Sequence, residues 1–265
     1  MQPVPAVDAA GHIQTIASDA ESPQELPFAC FDEPVRWWRS ARQLPASHAP
    51  LSLARAADVV QRAMAEQRSL VVELGCAWGG LLLATVASNA GCWGLGVDTD
   101  PILLNRGRAM SSDLGLASRV RYIEADPSAW GQPRPADVVI MVGASRSWGS
   151  LVKTLDAGRS HLAPGGRLVM GEPVSLVDAA EPDAPQLGPG HPQLPDLVAL
   201  VEHRGFDLCY SGTADLAEHD VHESDLRSAG RVGGGPNAEA ARMRHREYLQ
   251  ERRGRLGFAW LVLQS

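Results

Sequence analysis

A glycine-rich turn and an acidic residue after the next apolar run are the first residues in the chain whose types and spacing suit ligand binding. Gly75 and Gly79 follow the apolar run 70–72 and precede the apolar segment 81–87. Glycine tolerates positive φ, and because it lacks a Cβ a ligand can lie against its backbone. Asp98 ends another apolar run 23 residues after Gly75, where a carboxylate can accept hydrogen bonds from both hydroxyls of a ribose. The two features together predict a site for a ribose-bearing ligand.

Parallel β-strands must position these residues. Residues 70–72 and 94–98 are short apolar runs with β-branched side chains, which is typical of strands buried on both faces. A turn that follows such a strand lies at its carboxyl end, where open α/β sheets bind their ligands. Glycine-rich strand–helix turns also serve NAD enzymes, so this turn alone leaves the cofactor open.

Five segments of the chain, in order, resemble the successive motifs of class I S-adenosylmethionine (SAM)-dependent methyltransferases. They are Glu-Leu-Gly-Cys-Ala-Trp-Gly at 73–79, Gly-Val-Asp at 96–98, Glu-Ala-Asp at 124–126, Asp-Val-Val-Ile-Met-Val-Gly at 137–143 and Leu-Ala-Pro-Gly-Gly-Arg-Leu-Val-Met at 162–170. The resemblance extends from about residue 51 to the C-terminus, and its Pro-Gly-Gly turn is usually lacking in NAD-type proteins. Segments 48–52 and 143–148 are similar to those of a bacterial branch of small-molecule methyltransferases.

The resemblance implies an α/β fold, namely a Rossmann-like, seven-stranded, mostly parallel sheet with helices on both faces, a reversed C-terminal strand pair and helical cap segments. We expect a flexible tail at 1–24 and a methyltransferase-like domain at 25–265. Within that domain, 25–50 is expected to form an N-terminal lid and 214–253 a cap insertion over the substrate pocket. The loop expected at 172–195 is long enough to be either functional or disordered.

The cofactor that the resemblance implies is SAM, with the glycine-rich turn lining its methionine portion. Gly75, Ala77 and Gly79 are the expected lining residues, although the family usually has glycine at the position of Ala77. The extra methyl group of alanine is either absorbed by the turn or displaces the ligand. Glu73 is expected to act near the methionine ammonium through water or backbone.

The nucleoside portion of SAM is expected at the ends of the next two strands. Asp98 would hold the ribose hydroxyls, and a helix-capping role suits Asp100 better than Asp98. Asp126 would accept a hydrogen bond from the adenine amino group, but it is equally well explained as an exposed loop acid. The full set of expected cofactor-binding residues is Glu73, Gly75, Ala77, Gly79, Asp98, Thr99, Asp126, Pro127 and Gly143.

Methyl transfer depends more on a positioned acceptor than on a catalytic group, because SAM is already activated. A general base is needed only for an acceptor that starts protonated, such as an alcohol or an ammonium. The candidate catalytic residues are Arg146, Glu172 and His48. Glu172 is a candidate base or amine anchor, whereas Arg146 could hold an acidic substrate through a bidentate pair. Each is also explained as an ordinary loop or surface residue.

The segment 219–223, His-Asp-Val-His-Glu, superficially resembles a metal-binding cluster. Its spacing offers no third and fourth ligand nearby, so we expect a solvated helix start and no metal site. Trp260 is expected in the core. Tyr248 either reaches the substrate pocket or packs on an apolar face.

Charge and composition exclude several classes of partner. The net charge of −7 argues against nucleic acid, since polyanion-binding proteins usually carry a basic face. The sequence has neither a secretory signal nor an apolar run of membrane-spanning length. Its four cysteines lack metal-ligand spacing and suit reduced thiols, so a cytoplasmic protein acting on a small molecule is expected. A homodimer or a partner protein is left open.

Three functions are compatible with these observations. The first is methyl transfer from SAM to a small-molecule acceptor, in bacterial secondary metabolism. The second is a methyltransferase fold repurposed for another biosynthetic reaction, such as intramolecular cyclisation or elimination, which Ala77 and the lack of an obvious base favour. The third is a non-catalytic partner that uses the fold as a binding module.

Overall fold

The computed structural model describes residues 5–7, 13–15, 49–64, 69–132, 134–177, 191–233 and 235–265. Pro5–Val7 (β1) and Ile13–Thr15 (β2) pair as antiparallel strands. His48 and all but the last two residues of the expected lid lie outside the described residues, as does 178–190 of the expected long loop.

One sheet of seven strands forms the centre of the molecule, in the order β5-β4-β3-β6-β7-β9-β8. Strands β3 to β7 are mutually parallel, and β9 runs antiparallel to both β7 and β8. This confirms the predicted fold class, with the antiparallel pair β8–β9 at one edge. The strands are Leu70–Leu74 (β3), Trp93–Asp98 (β4), Val120–Glu124 (β5), Ala136–Val142 (β6), Leu162–Ser175 (β7), Asp207–Thr213 (β8) and Leu256–Gln264 (β9).

Helices connect the strands and cover the sheet. They begin where the sequence provides an N-cap: Ser52 accepts from the backbone N–H of Arg55, and Asp100 accepts from those of Ile102 and Leu103. Pro101 occupies the first helical position, where its missing N–H has no cost. The helices are Leu53–Ala63 (α1), Gly80–Ala87 (α2), Pro101–Asp113 (α3), Ser145–Trp148 (α4), Leu151–His161 (α5), Leu194–His203 (α6), Leu216–Gly233 (α7) and Gly235–Glu247 (α8), followed by a π-helical turn at Tyr248–Arg252.

Two apolar layers pack against the two faces of the sheet. Every residue of β3 is buried, because both faces of this central strand are covered. Val71 faces the layer that includes α2, while Val72 and Leu74 face the opposite layer. Trp260 on β9 is fully buried as expected, and its indole N–H donates to the carbonyl of Pro50 at 3.0 Å.

The insertion between β8 and β9 consists of α7, α8 and the π-helical turn, which we call the cap. The expectation of a solvated helix start at 219–223 is wrong for its side chains, because His219, His222 and Glu223 are all buried. Burial is possible because α7 packs along α8, where Arg244 donates two hydrogen bonds to the carboxylate of Glu223. Within the described part of the chain, no group of His, Cys, Asp or Glu side chains is arranged to hold a metal ion.

The buried carboxylate of Glu218 fastens the cap to the start of α1. It accepts the backbone N–H of Ser52 at 2.9 Å and the guanidinium of Arg55 at 2.9–3.0 Å. Its second oxygen also accepts the backbone N–H of Asp215 at 2.8 Å. Burial opposes the charge of Glu218, but the hydrogen bonds from Arg55 and Ser52 outweigh it and lower its pKa to about 2.

Candidate active site

The order in which the chain adds strands to the sheet reverses between β3 and β6. This reversal leaves a crevice at the carboxyl ends of these two strands. The chain moves outward from β3 through β4 to β5 and then returns to β6 on the other side. Open α/β sheets bind ligands at such a switch point. Gly75 after β3 has φ +75°, Gly143 after β6 has φ +62°, and a Cβ at either residue would enter open space. The crevice therefore has bare backbone on both of its walls.

The glycine-rich turn contains one strained residue. Ala77 has φ +50°, and among the described residues it is the non-glycine residue with positive φ. That conformation costs an L-residue roughly 1–2 kcal/mol. The carboxylate of Asp98 accepts the backbone N–H of Ala77 at 2.7 Å, so this hydrogen bond holds the turn in place. Ala77 thus adopts a backbone conformation that glycine would adopt without this cost.

Asp98 lies half-buried at the end of β4 with both carboxylate oxygens engaged. Oδ2 accepts from Ala77, and Oδ1 accepts the backbone N–H of Asp100 at 2.9 Å. A carboxylate offers about four lone-pair sites, so each oxygen retains capacity for a further donor. Asp100, and not Asp98, caps the following helix, as the sequence predicted. Asp98 can therefore organise the turn and still accept ligand hydroxyls.

The side chain of Tyr122 packs against the glycine-rich turn and supports it. The sequence analysis did not predict this role. Its hydroxyl donates to the carbonyl of Trp78 at 3.2 Å. A Cβ on Gly79 would lie 2.9 Å from that hydroxyl, and one on Gly107 of α3 would lie 2.6 Å from the same ring. Burial raises the pKa of Tyr122 well above its usual value, so the phenol stays protonated as a donor. Gly107, a glycine inside an otherwise helical segment, was the signal in the sequence for this close packing.

Glu73 lies under the N-terminus of α2. Its side chain is buried, and Oε2 accepts the backbone N–H of Leu82 at 3.1 Å. This hydrogen bond satisfies one of the free N–H groups at the start of the helix. Burial raises the pKa of Glu73 to about 8, against the smaller opposing effect of the Leu82 N–H. Glu73 thus connects β3 to α2, and its expected action near the methionine ammonium remains a prediction.

The residues expected around the adenine lie at the open end of the crevice. Thr99 and Asp126 are exposed, and Pro127 is partly buried. The Oδ1 atom of Asp126 accepts both the backbone N–H and the hydroxyl of Ser128, at 2.8 and 2.7 Å, and these hydrogen bonds lower the pKa of Asp126. Asp126 therefore stays ionised as an acceptor beside the end of β5.

Glu172 lies on the other side of the switch point, at the carboxyl end of β7. It is buried and accepts both the backbone N–H and the hydroxyl of Ser145, at 2.9 and 2.8 Å. Burial raises its pKa, although the hydrogen bonds from Ser145 and the charge of Arg146 act against this. Both carboxylate oxygens thus fix the segment between β6 and α4. Arg146 in that segment is exposed.

The arrangement defines an α/β protein with a nucleotide-type crevice at a topological switch point. Residues 72–168 match the sequence model described as "Methyltransferase domain". The protein YjhP of Escherichia coli K12, described as uncharacterised, is 27% identical over 159 residues, which cover 58% of this chain and 64% of YjhP. The chain therefore spans less than two thirds of the length of this curated relative.

Solved structures share the fold. A SAM-dependent methyltransferase from Geobacter sulfurreducens, in complex with S-adenosyl-L-homocysteine, superposes with a TM-score of 0.74 at 22% identity, covering 91% of this chain and 99% of that one. The structure of E. coli YjhP has a TM-score of 0.73 at 22% identity, covering 82% and 94%. The [4+2]-cyclase SpnF has a TM-score of 0.62 at 17% identity, covering 79% of each chain.

Residues 72–168 thus match a methyltransferase domain, in a chain whose fold is shared by SAM-dependent methyltransferases. None of the helices among the described residues is long and apolar enough to cross a membrane.

Proposed function

We propose that this protein binds SAM in the crevice between β3 and β6 and transfers its methyl group to a small-molecule acceptor. The observation that carries the proposal is the convergence of two features at the switch point. Gly75 presents bare backbone to open space, and the half-buried carboxylate of Asp98 stands one strand away. Bare backbone and a carboxyl acceptor for a diol are what an adenosine-bearing ligand requires.

Each expected cofactor residue has a place in this proposal. Asp98 accepts the ribose hydroxyls, and Asp126 accepts the adenine amino group with Pro127 and Thr99 beside it. Gly75, Ala77 and Gly79 pass around the methionine portion, with Glu73 fixing the turn from beneath. Gly143 forms the opposite wall of the crevice. A Cβ at this residue would project into the open space between the walls.

The chemistry that SAM supplies when bound is an electrophilic methyl group on a sulfonium. The residues of the chain hold the acceptor in line with that methyl group and exclude water. Glu172 contributes as a positioning residue, because its two hydrogen bonds with Ser145 hold the segment that carries Gly143 and Arg146.

The hydrogen bonds that Glu172 accepts from Ser145 give it a structural use and so favour a second candidate, a repurposed enzyme that promotes cyclisation or elimination in a biosynthetic pathway. A cyclisation needs an enclosed, shaped crevice and no proton transfer to Glu172, whereas an elimination also needs an acceptor for the proton that leaves. The likeness to the cyclase SpnF concerns the fold alone. SAM would then remain as a bound structural group or be absent from the reaction.

Calorimetric titration with SAM and S-adenosyl-L-homocysteine tests the first step of the proposal. We expect micromolar affinity in the parent protein and at least tenfold weaker binding in Asp98→Asn. The matched control is Asp113→Asn, which changes an exposed acid at the end of α3 and should leave the affinity unaltered. Absence of binding in the parent, or equal binding in Asp98→Asn, would contradict the proposed cofactor site.

Transfer of a radiolabelled methyl group to a panel of small acceptors tests the second step. A methylated product that is lost in Asp98→Asn and retained in Asp113→Asn supports methyl transfer and excludes the repurposed enzyme. Tight cofactor binding with the label never leaving SAM across the panel favours the second candidate.

A further inference from the structure

Two arginines and one histidine from separate segments lie near the carboxyl end of β7. Arg146 belongs to α4, His191 precedes α6, and Arg252 ends the π-helical turn of the cap. They belong to the β6–β7 side of the crevice, across the switch point from the side expected to hold SAM. This is the side on which an acceptor would approach the cofactor.

Hydrogen bonds attach the three segments to the end of the same strand. Ser145, next to Arg146, donates to Glu172 of β7. The carbonyl of Pro192, next to His191, accepts the N–H of Ser175 at 2.9 Å. The third segment, which is the end of the cap, is attached at Leu176, the residue that follows Ser175.

The end of the cap is attached one residue further along the chain. The N–H of Leu176 donates to the carbonyl of Arg255 at 2.8 Å, and the N–H of Arg255 donates to the carbonyl of Arg252 at 2.9 Å. Electrostatics agree with this gathering: burial, followed by the charges of Arg146 and Arg252, lowers the pKa of His191. The cap therefore brings the backbone at Arg252 to the end of β7, near the segment that carries Arg146.

Arg146 forms no ion pair among the described residues, although its charge acts on the nearby carboxyl of Glu172. Arg252 is paired with Glu247 at 2.5 Å, and the lowered pKa of His191 favours its neutral form. Glu172 has both of its oxygens engaged by Ser145. Within the described residues the guanidinium of Arg146 has no hydrogen bond or ion pair, in a protein whose net charge is −7.

We propose that the methyl acceptor carries a single carboxylate, which Arg146 binds in a bidentate pair with His191 and Arg252 beside it. The proposal rests on the proposed function, since it names the substrate class of that same crevice. A guanidinium presents its donors in a planar fork that matches a carboxylate. His191 in its neutral form offers a ring nitrogen as a further hydrogen-bonding group.

Binding of simple probes to the protein loaded with S-adenosyl-L-homocysteine tests the carboxylate site. The probes are benzoate, the isosteric neutral benzamide, and phenyl phosphate. Binding is followed through the side-chain Nε–Hε NMR signal of Arg146, assigned by its loss in Arg146→Gln. We expect benzoate to shift this signal saturably with millimolar affinity, benzamide to leave it in place, and phenyl phosphate to bind no more tightly than benzoate.

Variants decide which residues are responsible. Benzoate affinity should fall at least tenfold in Arg146→Gln, read from other shifted signals, and about threefold in Arg252→Gln. The matched control is Arg227→Gln, an exposed arginine on α7, which should bind benzoate as the parent does. Equal responses to benzoate and benzamide, or unchanged affinity in Arg146→Gln, would overturn the proposal. Tighter binding of phenyl phosphate through Arg146 would overturn the carboxylate in favour of a phosphate.

Failure of this inference is distinguishable from failure of the proposed function. Affinity for S-adenosyl-L-homocysteine is measured in the same samples by calorimetry. Normal cofactor binding together with no benzoate effect rejects the carboxylate site and leaves the methyltransferase proposal in place. A saturable benzoate effect in protein that does not bind the cofactor supports the anion site and rejects the proposed function.

Discussion

Two buried glutamates hold two regions of the molecule by opposite electrostatics. Glu73, under the glycine-rich turn, receives one backbone N–H, and burial raises its pKa to about 8. Glu218, at the start of the cap, is buried too, but Arg55, Ser52 and Asp215 all donate to it and its pKa falls to about 2. The balance between burial and the number and charge of the donors decides whether such a carboxyl is an acid or an anion.

The difference indicates what each region is built to do. The ion pair of Glu218 with Arg55 fixes the cap to α1 independently of any ligand. The glycine-rich turn is held by strained backbone at Ala77, by Asp98 and by a carboxyl that remains protonated near neutral pH. A ligand bearing a positive charge would favour ionisation of Glu73, so the turn is the region able to respond to binding.

Replacement of Glu218 should have the largest effect on stability. Glu218→Gln removes the charge that pairs with the partly buried Arg55, and breaking such a pair leaves an uncompensated cation. We expect a loss of about 3 kcal/mol in the free energy of unfolding, measured by urea denaturation at pH 7. The matched control is Asp58→Asn, which breaks the exposed pair of Asp58 with Arg62 and should cost less than about 1 kcal/mol. Equal losses of unfolding free energy in the two variants would show that the ion pair of Glu218 with Arg55 does not hold the cap in place.

The free energy of unfolding should change with pH in opposite directions for Glu73 and Glu218. The raised folded-state pKa of Glu73 stabilises the fold below about pH 4.5, and this contribution is lost as the pH rises through about 8. Relative to the parent, ligand-free Glu73→Gln should therefore gain about 3 kcal/mol of stability between pH 5 and pH 9. The contribution of Glu218 runs the other way, present above about pH 4.5 and lost as the pH falls towards 2. Urea denaturation across pH measures both, and a pH-independent difference for Glu73→Gln would contradict the protonated carboxyl.

A side chain on the bare wall of the turn should have an intermediate effect on stability and a large one on binding. Gly75→Ala forces an L-residue into φ +75° at a cost of roughly 1–2 kcal/mol, and its Cβ projects into the crevice. We expect affinity for S-adenosyl-L-homocysteine to fall at least tenfold by calorimetry. Gly115→Ala is the matched control, because its φ is +68° and its Cβ also meets open space, but it lies at the end of α3. A similar loss of affinity in both variants would mean that strain, and not obstruction, weakens binding.

Relief of the strain at Ala77 should have the smallest effect. Ala77→Gly removes the cost of positive φ but makes the unfolded chain more flexible, so the two effects partly cancel. We expect a gain of about 0.5 kcal/mol in thermal or urea unfolding and a change in cofactor affinity of less than about fivefold. A marked loss of stability would show that the methyl group packs usefully and that the turn is unstrained.

Local signals made much of the fold predictable. The apolar runs gave the central strands, and Asp100 followed by Pro101 gave the start of α3, because capping and strand burial depend on neighbours in the chain. The environment of the cap was not predictable in this way. His219 reads as a solvated residue in a polar segment, yet it is buried because α8 packs against α7 from residues further along the chain.

The sequence by itself determined the fold class, since glycines, strand-end acids and the Pro-Gly-Gly turn recur at spacings that a single sheet topology requires. It also determined which residues line the switch point, because those residues directly follow their strands. Only the tertiary structure decided the state of each carboxyl. Glu73, Glu172 and Glu218 are one residue type, and their donors come from Leu82, Ser145 and Arg55, none of them an immediate neighbour in the chain. Distant parts of the fold provide the hydrogen bonds and the burial that set each pKa. Glu73 therefore supports the glycine-rich turn, Glu172 holds the loop at Ser145, and Glu218 attaches the cap.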